Sequence, residues 1–312
     1  MDTSYTIVLE DQTALSSLCG ANDENLHIFE TYLGVPVICR GNEVTVLTSD
    51  QAVCQRFQKL IDTLLASPGI TSEDSAGFIA ACVANSPSQQ DCFSPQCIHI
   101  PRGIKSVYPK NRTQAALIDS IYTNDITFGL GPAGTGKTYI AVALALKLLL
   151  SHKVRKLILT RPVVEAGESL GFLPGDLVQK INPYLRPLFD IMEALLPAGL
   201  LRSLEESNSI EVAPLAYMRG RTLHNAAVIL DEAQNTTKEQ MKMFLTRMGE
   251  GSKLIITGDP SQSDIRGRSE SGLIHAVSLI RSITGIGIIE FSAAEVVRHS
   301  LVQKIINAYE RQ

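Results

Sequence analysis

Tryptophan is absent from this 312-residue chain, and aromatic residues make up only 5% of it, while 45% is apolar. The core must therefore be mostly aliphatic, as α/β cores tend to be. Apolar runs long enough to cross a bilayer are missing as well. The best candidate, residues 141–150, is half the length required and carries Lys147. The opening Met1-Asp2-Thr3-Ser4 has neither the basic patch nor the apolar segment of a secretory signal, so a cytoplasmic location with no membrane attachment is expected. Basic residues are scarce at the front. Residues 1–100 hold 3 Lys+Arg against 12 Asp+Glu, a net of −9, and the remainder holds 25 against 20, a net of +5. Such asymmetry marks a domain boundary and bears on partners. All six cysteines fall in the same first hundred residues. A chain of this size without a secretory signal gives no reason for a disulfide framework. Cys92 and Cys97 lack a second Cys/His pair, which argues against structural zinc.

The length allows one large or two modest domains. Residues 5–9 read as a strand, 12–18 and 23–33 as helices, 35–39 and 44–47 as a hairpin turning at Arg40-Gly41-Asn42, and 51–65 as an amphipathic helix. A further helical piece over 75–83 leads into a polar stretch with Pro87, which reads as a linker. A helix over 113–122 then opens an alternation of strands and helices suited to an open parallel sheet. The predicted strands are 126–130, 156–160, 210–213, 227–230, 253–257 and 285–291. The expected division is 1–84 as a small α+β domain, 85–108 as linker and 109–312 as the larger domain.

The first predicted strand of the larger domain leads into Gly131-Pro132-Ala133-Gly134-Thr135-Gly136-Lys137-Thr138, and a helix-prone run follows. This is G-x-x-x-x-G-K-[ST] in its strand–loop–helix setting. Glycines let successive backbone N–H groups turn towards a phosphate chain, and the helix N-terminus adds partial positive charge. Lys137 is placed to reach the β- and γ-phosphates and Thr138 to ligate Mg²⁺. The pattern implies that the chain binds a nucleoside triphosphate with Mg²⁺. Downstream, Ala227-Val228-Ile229-Leu230 ends in Asp231-Glu232-Ala233-Gln234. A buried strand that delivers two acids to its C-terminal edge suits metal binding by Asp231 and water activation by Glu232. The alternative is that both acids only open the next helix. A third strand ends at Gly258-Asp259-Pro260-Ser261-Gln262, where Gln262 could sense a γ-phosphate or the segment could be a plain turn.

The acid block and the Gly258–Gln262 block together resemble motifs II and III of superfamily 1 helicase-type ATPases. Three further blocks, Thr160-Arg161-Pro162-Val163-Val164-Glu165-Ala166-Gly167-Glu168, Leu170-Gly171-Phe172-Leu173-Pro174-Gly175-Asp176 and Val296-Val297-Arg298-His299, narrow the likeness. The chain thus resembles the PhoH family in its form with an N-terminal KH-like domain. The likeness runs nearly unbroken from Pro109 to Tyr309 and is weaker over residues 1–100. It implies a RecA-like P-loop NTPase sheet flanked by helices behind a small KH-like α+β domain, and an ATPase that uses ATP and Mg²⁺. It also implies that Gln114 reads adenine and that Arg298 acts as a charge-stabilising arginine finger. Arg161 either contacts nucleic acid, as the matching helicase block does, or pairs with an acid at the core edge.

Family association with the endoribonuclease YbeY and with ribosome maturation makes RNA or a ribosome-associated protein the implied partner. One departure cuts across this. A KH module clamps nucleic acid through G-x-x-G between its helices, whereas this chain has Gly20-Ala21-Asn22-Asp23-Glu24 and a strongly acidic surround. The front domain is therefore expected to meet protein at least as readily as RNA. About 200 residues remain for the ATPase, room for a single lobe. The finger would then come from a neighbouring subunit of a homo-oligomer. Two functions follow from these readings. One is an ATPase that remodels RNA or RNA–protein particles, and the other a nucleotide-gated assembly protein that never touches RNA. A small-molecule kinase fits the hydrolytic blocks poorly, and a GTPase would need an N-K-x-D motif that is absent.

Overall fold

A computed structural model describes residues 4–9, 11–20, 23–65, 79, 82, 97–162, 177–262 and 271–296. Contacts divide the chain into two compact units, 1–98 with 105–115 and 99–104 with 116–312.

The first unit runs β1 (Tyr5–Val8), α1 (Gln12–Cys19), α2 (Glu24–Leu33), β2 (Val37–Arg40), β3 (Glu43–Val46) and α3 (Gln51–Leu65), the expected order. Its three strands form an antiparallel sheet in the order β1-β3-β2, with Val46 opposite both Tyr5 and Val37. The amphipathic stripe of α3, Val53, Phe57, Leu60, Ile61 and Leu64, is buried. Phe57 meets Phe29 of α2 edge to face, their centroids 6.2 Å apart. The turn between α1 and α2 starts at Gly20 (φ 72°), where a Cβ would stand 2.7 Å from the Asn25 amide nitrogen. Burial and a hydrogen bond with Cys39 push the Cys19 thiol up to about 12. All five described cysteines are free thiols; Cys92 and most of the predicted 75–83 helix and linker lie outside the described residues.

The helix α4 (Arg112–Thr123) begins in the first unit and continues into the second. There follow β4 (Ile126–Leu130), α5 (Lys137–Leu150), β5 (Lys156–Arg161), α6 (Leu177–Leu195), α7 (Ala198–Glu206), β6 (Ile210–Pro214), β7 (Ala226–Leu230), α8 (Lys238–Leu245), β8 (Lys253–Gly258), α9 (Gly272–Ile280) and β9 (Ile286–Glu290). The six strands form one sheet, β6-β5-β7-β8-β4-β9, parallel at every pairing. All six predicted strands are present, with ends shifted by one residue at most. β7 is buried along its whole length and α5 on nearly every side, so apolar runs with no amphipathic stripe become interior elements. Among the described residues no helix is long and apolar enough to cross a membrane.

Candidate nucleotide site

In a parallel sheet all strands deliver their C-terminal ends to one edge, and ligand sites form there. β4 ends at that edge in Gly131, whose N–H donates to the Gly258 carbonyl at the end of β8 (3.0 Å). Gly131, Gly134 and Gly136 have φ of 137°, 86° and 81°, conformations that L-residues rarely adopt. At Gly131 space matters as well, since a Cβ would lie 2.4 Å from the Phe291 carbonyl oxygen. Thr135 is fully buried, and its hydroxyl closes the loop on the Pro132 carbonyl at 3.0 Å.

Lys137 opens α5 and turns its ammonium back into this loop. It donates to the carbonyls of Gly131 (2.7 Å) and Pro132 (2.6 Å) and to the Thr135 hydroxyl (3.0 Å). Burial lowers its pKa, opposed by the carboxylates of Asp259, Asp231 and Glu232. The next residue, Thr138, donates through its hydroxyl to Asp231 Oδ1 at 2.7 Å. Thr257, at the end of β8, donates to the same oxygen at 2.7 Å. Asp231 Oδ2 lies 3.1 Å from Nη2 of Arg161 at the end of β5, and that nitrogen also reaches Glu232 Oε1 at 2.8 Å. Residues from four strand ends, β4, β5, β7 and β8, therefore meet in one polar cluster.

Glu232 sits in the left-handed region (φ 54°, ψ 39°) and caps a short 3₁₀ turn over Ala233–Asn235. The following helix α8 starts later, behind its own capping box of Thr237 and Gln240. The acids therefore do not form the first turn of that helix. The second Glu232 oxygen accepts from the Gln234 amide at 2.5 Å, and Gln234 Oε1 in turn accepts the Asp259 N–H at 3.0 Å. Gln234 thus ties the acid block to the Gly258–Gln262 block. Asp259 Oδ1 accepts from the Ser261 N–H and hydroxyl (2.9 and 2.6 Å). The other Asp259 oxygen and the Thr160 hydroxyl are buried with no hydrogen-bond partner among the described residues. Groups of this kind suit a site that takes a polar ligand and a cation.

Lys137, Thr138, Asp231 and Glu232 come together as the sequence implied. Gln262 donates its N–H to the Asp259 carbonyl at 3.0 Å, and the residue is exposed. Gln114 is buried near the start of α4, where its side-chain oxygen accepts the Lys110 N–H at 2.6 Å. Arg298 and the blocks 163–168, 170–176 and 297–299 lie outside the described residues. Gln234, within the acid block, and Thr257, just before the Gly258–Gln262 block, contribute contacts that were not foreseen, and Arg161 takes the acid-pairing alternative, with both acids. A hydroxyl at a strand end beside a predicted metal carboxylate was the available signal for Thr257.

The PhoH-like protein family model matches residues 106–310. The chain belongs to the PhoH family. PhoH-like proteins of Mycobacterium tuberculosis and Bacillus subtilis are each 46% identical to it, over 94% and 95% of this chain and 84% and 94% of their own lengths. The PhoH-like protein of Synechocystis is 42% identical over 99% of this chain and 95% of its own. Among solved structures, a Pif1 helicase of Candida albicans aligns with 63% of the chain and 42% of its own at a TM-score of 0.33 and 13% identity, too distant to inform the site. Family, parallel sheet and loop together make this PhoH member a P-loop NTPase.

Proposed function

We propose that the chain is a Mg²⁺-dependent ATPase of RNA metabolism that uses hydrolysis to remodel RNA or RNA–protein particles. The observation that carries the hydrolytic half is the cluster joining Thr138, Asp231 and Thr257 beside Lys137 and Glu232. In this reading the N–H groups of Ala133–Thr138 cradle the phosphates and Lys137 binds their terminal oxygens. Thr138 and Asp231 hold Mg²⁺, which when bound would neutralise charge on the phosphate chain. Glu232 orients the attacking water and takes its proton. Gln262 senses the γ-phosphate from its exposed turn, Gln114 reads the base, and Arg298 of a neighbouring subunit completes the site in a homo-oligomer.

The RNA half rests on family likeness, not on any basic patch. The β1-β3-β2 antiparallel sheet with its βααββα order supports a KH-like first domain, here 1–84, joined by 85–108 to the ATPase domain 109–312. The net −9 of residues 1–100 favours a second reading for that domain: it docks a protein, with a YbeY-type endoribonuclease or a ribosomal protein as the family-implied class, in the cytoplasm. ATP turnover measured with and without single-stranded RNA at two salt concentrations separates the two. Stimulation that weakens with salt supports remodelling, because phosphate contacts release counterions. Turnover indifferent to RNA, with nucleotide still bound, favours the assembly reading. Light scattering that returns a monomer with ATP and Mg²⁺ present would remove the shared-site model.

A further inference from the structure

Among the described residues, Arg161 is the only cation in direct contact with both acids, and its backbone leaves it one kind of freedom. Its Cα is held by β5, which pairs with β6 on one side and β7 on the other. Pro162 follows, which confines the backbone of Arg161 to extended conformations. Only the side chain can change partners. One nitrogen, Nη2, spans Asp231 Oδ2 and Glu232 Oε1, and the guanidinium is mostly buried (17% exposed). Asp231 Oδ1 is taken by the hydroxyls of Thr138 and Thr257, so Arg161 supplies the positive charge on the other oxygen. The Glu232 oxygens are held by Arg161 and Gln234.

Both Glu232 oxygens already accept hydrogen bonds from protein donors, so an attacking water would have to compete with Arg161 and Gln234 for them. A divalent cation at Asp231 would in turn face the same guanidinium at close range in a partly buried setting, where like charges repel strongly. We propose that Arg161 is an internal counter-cation that latches Asp231 and Glu232, and that it swings to a phosphate group before Glu232 can act on water. Arginine suits the exchange, because its planar fork binds carboxylate and phosphate with the same donors. The phosphate has two available sources, the terminal phosphate of the nucleotide or the backbone of a nucleic acid bound at this sheet edge. Arg161 is thus a positioning residue for Glu232 and a sensor of phosphate.

The proposal rests on the phosphate-loop reading, and its test keeps the two apart. The full-length protein is titrated with Mg²⁺ while binding of fluorescent ADP, or of a non-hydrolysable fluorescent ATP analogue, is followed for wild type, Arg161→Gln and Arg161→Lys. Removing the latch should lower the Mg²⁺ midpoint about tenfold in Arg161→Gln, because the repulsion between the guanidinium and the divalent cation is relieved. Arg161→Lys, which keeps the charge, should remain near wild type. A role limited to stability would weaken binding, so tightening is diagnostic. If the nucleotide supplies the phosphate, wild type has a lower midpoint with the ATP analogue than with ADP, and Arg161→Gln loses that difference. If nucleic acid supplies it, a 20-nucleotide oligouridylate lowers the wild-type midpoint and leaves that of Arg161→Gln unmoved. A midpoint in Arg161→Gln equal to or above wild type, with wild type still binding nucleotide, overturns the latch alone. Failure of wild type to bind either nucleotide overturns the site reading itself.

Discussion

Thr257→Val tests whether the strand-end hydroxyl sets Asp231 for metal binding or merely fills space. The substitution keeps the shape of the side chain and removes one donor, so no cavity opens. The lost bond is short (2.7 Å), lies between buried groups and ends on a carboxylate. Hydrogen bonds to charged groups contribute about 1.5–3 kcal/mol. Asp231 keeps the Thr138 hydroxyl and the Arg161 guanidinium, so about 2 kcal/mol is the expected stability loss, read from urea unfolding in EDTA. The functional effect should be separate. An outer-shell partner that aims a metal ligand is worth roughly 10–100-fold in affinity. The Mg²⁺ midpoint for binding a fluorescent ATP analogue should rise by that factor, while binding in EDTA stays unchanged because the Lys137 cradle is untouched. Thr257→Ser should restore the midpoint. If stability falls but the Mg²⁺ midpoint does not move, Thr257 holds the fold only, and the assignment of Asp231 to the metal loses its structural support.

Three further outcomes are expected. Lys137→Ala should lose saturable nucleotide binding, whereas Glu232→Gln should bind nucleotide and hydrolyse it about 10²–10⁴-fold more slowly in single-turnover assays; normal turnover in either removes it from the site. Gly131→Ala should cost about 3 kcal/mol or more in urea unfolding, since a φ of 137° adds to a Cβ 2.4 Å from a backbone carbonyl oxygen. Gly220→Ala (φ 77°, nothing within 4 Å) should cost about 1 kcal/mol, and equal losses would refute the steric argument. Glu211 on β6 is held by a two-pronged pair with Arg221 (2.6 and 2.9 Å) and by Lys156 at 2.7 Å; the Arg221 hydrogen bonds foremost lower its pKa from 4.5 to about 2. Its stabilisation is present in full above 4.5 and is lost as pH falls towards 2, so Glu211→Gln should flatten stability against pH across that acid window, by at most about 3 kcal/mol.

Some elements were legible from sequence and others were hidden for identifiable reasons. The phosphate loop could be read because its glycines answer a conformational demand at fixed spacing: three of them take positive φ, and no other residue does so freely. The central strands β5, β7 and β8 could be read because each buried run is short and aliphatic and ends in polar or glycine residues. The helix α6 falls where the alternation of strands and helices left room for one, but its bounds are hidden in the sequence, because Pro183 and Pro187 each remove a backbone donor inside it. The partners of Arg161 were left open because the ion pair joins residues 70 and 71 positions apart, and only the β5–β7 pairing, Thr160 opposite Leu230, brings them together. The hairpin strands of the first unit were placed one or two residues out, where short alternating strands mark their ends weakly.

Lys137 and Arg161, read together, change what the phosphate loop means. Each cation is satisfied by the protein itself, Lys137 by two loop carbonyls and a hydroxyl, and Arg161 by the two acids. Their situations differ in kind. Lys137 rests on neutral acceptors in a buried setting that already disfavours its charge, so exchange to a phosphate oxygen replaces weak bonds with charge-assisted ones. Arg161 rests on carboxylates, so the same exchange gains little unless a second cation takes its place on Asp231. The loop should therefore bind phosphate with little help from the acids, while readiness to hydrolyse depends on a metal and a phosphate acting together on Arg161. Under the proposed latch, binding and hydrolysis at this sheet edge would be separable, and a partner that supplies a phosphate near β5 would control the second without altering the first.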